Sequence, residues 1–80
     1  MAPADIDLEF SGVYCRLDTL LAQRNMTLKE LSDRVGVSVV NLSVLKNNRA
    51  KAIRFSTLVA VCTVLECEIG QLLSLQPEPL

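Results

Sequence analysis

The stretch from Thr27 to Asn48, TLKELSDRVGVSVVNLSVLKNN, constrains this chain more than any other. Thr27 followed three residues later by Glu30 is a capping box. The hydroxyl takes an orphan backbone N–H and the carboxylate returns to the cap residue's own N–H. Leu28, Leu31 and Val35 recur at helical spacing, one apolar stripe toward a core, with Lys29, Ser32, Asp33 and Arg34 outside. Gly36 ends the helix, because only glycine enters a left-handed conformation without a Cβ penalty. Ser38 caps a second helix whose inward pair is Leu42 and Leu45. Val37 plugs the turn, and Asn47-Asn48 tolerates the left-handed geometry that closes the unit. A turn this short lets the two helices cross steeply, so the second projects from the surface.

Eighty residues allow one domain, near the lower limit for a core without staples. Half the chain is apolar, mostly Leu, Val and Ala, which favours a compact helical bundle. Cys15, Cys62 and Cys67 are odd in number, lack C-x-x-C spacing and have no histidine to help hold a metal. They read as small buried apolar residues in a reducing cytosol, and no cofactor is expected. Leu58 to Leu65, the longest apolar window, is too short to span a bilayer, and acids stand where a signal peptide needs a basic segment. A soluble, cytoplasmic protein is expected.

Net charge is −1, which by itself argues against nucleic acid as a partner. Its distribution argues for it. Arg24, Lys29, Arg34, Lys46, Arg49, Lys51 and Arg54 face only Glu30 and Asp33 within residues 24–54, a local balance of +5, and the other seven acids lie outside. A segregated field steers a polyanion even when the total is near zero.

Ile6, Leu8 and Phe10 alternate with Asp5, Asp7 and Glu9, the period of a half-buried strand. Ser11-Gly12 offers a turn, and Val13 to Arg16 a return strand that would set Phe10 opposite Val13 and Asp7 opposite Arg16. A tail without order and a strand paired with a second copy are the alternatives. Leu17 to Arg24 is a first helix ended by Asn25, and Met26 staples onto Leu31. After the basic loop 49–54, Ser56 caps a helix burying Leu58, Val61, Cys62 and Leu65. A last helix over Ile69 to Leu75 buries Ile69, Leu72 and Leu73, and Pro77 and Pro79 allow nothing helical beyond.

Five short helices in this order, with residues L-x-x-L-L, T-L-K-E-L-S-D-R-V-G-V-S, L-S-x-L-K-N-N, F-S-T-L, C-x-V-L-E-C and L-L between Leu17 and Leu73, resemble the phage-repressor (lambda and Cro-like, Xre) helix-turn-helix family. The segments 13–18 and 52–58 resemble its short stand-alone bacterial members. The resemblance implies an all-α, five-helix repressor-like domain over residues 13–75, with a strand, hairpin or tail at 1–12 and a tail at 76–80. It also implies that the third helix, 38–46, enters the DNA major groove while the second crosses the backbone. Carried over by position, Ser38, Val39, Val40, Asn41 and Val44 would read bases. Thr27, Leu28 and Lys29 at the second helix's start, with Asn47, Arg49, Lys51 and Arg54 after the third, would meet phosphates.

One feature departs from the family pattern. Val39, Val40 and Val44 stand where relatives often carry Gln, Glu, Asn or Arg, and valine offers a base only a methyl contact with thymine. Asn41 alone has the bidentate amide that suits adenine. The expected function is therefore a DNA-binding transcriptional regulator, acting on double-stranded DNA as a homodimer. An antitoxin-like or dimerising protein-interaction module that uses the valine face for a protein partner is the alternative. Catalysis has no support, since there is neither a histidine nor a nucleophile with an apparent base.

Overall fold

The structure, a computed structural model, describes residues 12–75. The order is β1 (Val13–Cys15), α1 (Leu17–Gln23), α2 (Leu28–Val35), α3 (Val39–Lys46), α4 (Phe55–Leu65), α5 (Ile69–Leu72) and β2 (Leu73–Leu75). Five helices thus follow the expected order, and their local signals explain where most of them begin and end. Asn25, at φ 54°, turns the chain out of α1. Thr27 Oγ1 accepts from the Glu30 amide at 3.0 Å while the Glu30 carboxylate accepts from the Thr27 amide at 2.8 Å, so both halves of the capping box form. Gly36 closes α2 at φ 75°. A Cβ there would meet nothing within 4 Å, so the dihedral and not crowding demands glycine. Ser38 Oγ accepts from the Asn41 amide at 3.1 Å and starts α3.

The core collects Leu17, Leu20 and Leu21 of α1, Leu31 of α2, Leu42 and Leu45 of α3, Leu58, Val61, Cys62 and Leu65 of α4, Leu72 of α5, and Cys15 of β1. Met26, Leu28, Val35, Val37 and Ile53 pack around it. Each fully buried leucine contributes roughly 1.5–3 kcal/mol, which is how helices too short to persist alone are held.

Four expectations are corrected. The last helix stops at Leu72 and does not reach Leu75, because Leu73–Leu75 pairs antiparallel with Val13–Cys15 in the register Val13↔Leu75, Tyr14↔Ser74, Cys15↔Leu73. The Arg16 amide donates to Leu72 O at 2.8 Å and its guanidinium to Ser74 Oγ at 2.8 Å, fastening the two ends of the described chain. Ile69, expected inside, is half exposed. α4 begins at Phe55 behind Arg54 and not behind Ser56, with no side-chain cap. Ser32 does not stay outside: it is half-buried, and its hydroxyl donates to Val37 O at 2.6 Å across the turn. The strand expected over 5–10 lies outside the described residues. Among those described, the partner of Val13–Cys15 is β2.

Candidate nucleic-acid interface

The capped start of α3 leaves one side of that helix facing solvent. Val40 is 70% exposed, Val39 and Val44 are each 38% exposed, and Ser38 and Asn41 are exposed beside them. Leu42 and Leu45 are held in the core, so they fix which side remains outside. Past the helix, Asn48 sits at φ 62° and its Oδ1 accepts from the Cys15 amide at 2.6 Å. The Arg49 amide donates to Val44 O at 2.9 Å. These bonds set the path by which the basic loop leaves α3.

That path brings the loop back beside the helix. A groove of about 640 Å³ is lined by Ser38, Asn41 and Val44 of α3 and its cap, by Arg49, Lys51 and Arg54 of the loop, and by Gly36 and Thr57. Three candidate base readers and three candidate phosphate residues therefore share one concavity. Arg49, Lys51 and Arg54 are exposed, and among the described residues none of them is in an ion pair. Unpaired cations beside a projecting helix are what the positioning of a phosphate strand requires. Val39 and Val40 do not line the groove, nor does Asn47, whose Nδ2 donates to Ser43 Oγ at 3.3 Å.

The start of α2 is less open. Thr27's hydroxyl and amide are both engaged in the capping box, which also holds the Glu30 carboxylate where an anion would approach. Leu28 is half-buried against the core. The Lys29 ammonium lies 3.1 Å from Asp33, a pair with both side chains well exposed and correspondingly weak. The sequence carried this i, i+4 signal, and it lowers Lys29's availability. Thr57, which also lines the groove, had no such signal; it stands in the first turn of α4.

Away from this face two buried cysteines are perturbed by their surroundings. Burial raises the Cys15 thiol above its ordinary value and pushes Cys62 up to about 11, with the Cys67 thiol and the Glu68 carboxylate adding to the effect at Cys62. Protonated thiols of this kind are poor nucleophiles. Among the described residues no group of three or more His, Cys, Asp or Glu could hold a metal ion, and no helix is long and apolar enough to cross a membrane.

Two comparisons with known proteins bear on the family. The Cro/C1-type HTH DNA-binding domain family matches residues 16–78. The uncharacterized HTH-type transcriptional regulator YozG of Bacillus subtilis (strain 168) is 52% identical over 62 residues, 78% of this chain and 74% of that protein. By the extent of the family match and by this relative, the chain belongs to the Cro/C1-type helix-turn-helix DNA-binding domain family.

Proposed function

We propose that residues 13–75 act as the DNA-binding unit of a non-enzymatic, cytoplasmic transcriptional regulator that binds double-stranded DNA as a homodimer, with α3 in the major groove. The observation that carries this is the shared groove, lined by Ser38, Asn41 and Val44 and by three cations of the 49–54 loop that form no ion pair among the described residues. A helix laid in the major groove brings the bordering sugar-phosphate strand against that loop. Affinity then comes mainly from Arg49, Lys51 and Arg54, while Asn41 and the methyls of Val40 and Val44 meet base edges. Thr27, Leu28, Lys29 and Asn47 play a smaller part, because their polar groups already have partners or, in Leu28, the side chain packs inward.

Arg49→Ala and Arg54→Ala test this directly. Each should weaken binding to all duplex sequences alike and lower the salt slope by about one. Sequence-dependent loss, or no loss, would contradict the assignment.

The exposure of Val40 supports a second reading, in which the valine side of α3 meets a protein. Under that reading, binding would persist at high salt and Val40→Asp would abolish it.

A further inference from the structure

The cysteines are reactive groups that DNA binding leaves unused, and two of them meet at the end of α4. Glu66 stands in the left-handed region at φ 53° just past the helix. The Cys67 amide donates to Cys62 O at 3.0 Å and the Glu66 amide to Thr63 O at 3.2 Å. These two bonds are the Schellman closure, which folds the residue after the left-handed position back against the side chain five positions earlier. Here both of those side chains are thiols. They are close enough to interact, the Cys67 thiol being among the groups that raise that of Cys62. The closure is also clamped from outside, since Arg24 Nε donates to Leu65 O at 2.7 Å and its Nη2 to Glu66 O at 3.2 Å. A groove of about 430 Å³ between α4 and α5 is lined by Cys62 and Cys67, with Thr63, Glu66 and Glu68 around them, so a small solute reaches the pair. Cys15 is buried elsewhere and takes no part in that lining.

We propose that Cys62 and Cys67 form a site of reversible oxidation, at which a hydroperoxide converts the two thiols to an intramolecular disulfide. Cys67 reacts first, because it is the less buried of the two and stands beyond the helix. With hydrogen peroxide, its sulfur attacks one peroxide oxygen as the thiolate and the O–O bond breaks. The hydroxide that leaves takes up the thiol's proton as water, and Cys67 becomes a sulfenic acid. Cys62 then gives its proton to solvent and attacks the sulfenic sulfur. The S–O bond breaks, and the departing hydroxide is protonated to a second water. In sum the two thiols lose two electrons and two protons, and one peroxide becomes two waters. Burial makes Cys62 a slow nucleophile toward anything in solution, but contact with Cys67 makes its attack intramolecular. The bond would join the last turn of α4 to the residues before α5, at the opposite end of α4 from Thr57 and the basic groove. It stands or falls independently of the DNA reading.

The test is to treat the folded full chain with hydrogen peroxide beside an equal concentration of glutathione, then denature, alkylate and measure the intact mass. By the time the glutathione is consumed, the chain should carry a single alkyl group, on Cys15, and should otherwise weigh two hydrogens less than the reduced form. Dithiothreitol should restore all three alkylatable thiols. Cys62→Ser should stop at a Cys67 sulfenic acid that dimedone traps, whereas Cys67→Ser should keep both of its thiols. Each variant should retain the helical signal of the wild type. The wild-type mass needs no variant to fold and decides by itself. Three alkylated thiols once the glutathione is gone, a bond that includes Cys15, or a disulfide-linked dimer in place of the internal bond would overturn the site.

Discussion

Asn48 ties the basic loop to the rest of the molecule. Its side chain carries a bond across 33 positions to the Cys15 amide, and its own backbone is left-handed, a conformation asparagine tolerates better than other residues with a Cβ. Asn48→Ala removes the acceptor and strains the backbone together, and should cost about 2 kcal/mol in urea unfolding. Asn48→Gly relieves the strain but not the lost bond, and should fall between. An unchanged midpoint for Asn48→Ala would show that the bond contributes nothing. The cysteines give a pH prediction. In the unfolded chain a thiol ionises near its ordinary value of 9.0, whereas folded Cys62 holds its proton to about 11 and Cys15 is shifted the same way. Above pH 9 the unfolded state therefore releases protons the folded state keeps, so stability is full below that pH and falls as it rises toward 11. Melting temperature against pH should decline less steeply in Cys62→Ala than in the wild type; parallel declines would place the loss elsewhere.

At the scale of elements, what the sequence shows is what is local. The bounds of α2 and α3 were legible because Thr27-x-x-Glu30, Gly36 and Ser38 act within one turn of themselves. The start of α4 was not, because propensity points to Ser56 while the chain enters the helix at Phe55 behind an extended Arg54, with Ile53 packed on the core. The end of α5 was hidden for a different reason. Leu73–Leu75 continues an apolar run that fits a helix, and only a partner some 58 positions earlier, Val13–Cys15, makes it a strand. The same division holds at the candidate interface. Exposure of Asn41 and Val44 follows from Leu42 and Leu45 being inside, but the groove they share with Arg49, Lys51 and Arg54 is set by the Asn48–Cys15 bond. No local spacing encodes that.

For the molecule as a whole, a net charge of −1 conceals two fields. Arg49, Lys51 and Arg54 gather beside α3, while Glu66 and Glu68 lie at the far end of α4. A polyanion approaching the first face would meet three cations that, among the described residues, form no ion pair. If α3 reads DNA as proposed, it offers bases mostly methyl groups, and specificity should be modest beside the phosphate contribution. Selecting binders from random duplex DNA at two salt concentrations tests DNA binding by this domain most directly. A two-fold symmetric site should be enriched at the lower salt, and its affinity should fall with a log–log slope of about −3 per protomer, the value for the three phosphates that Arg49, Lys51 and Arg54 would neutralise. Enrichment of no sequence at either salt, or an affinity indifferent to salt, would contradict it.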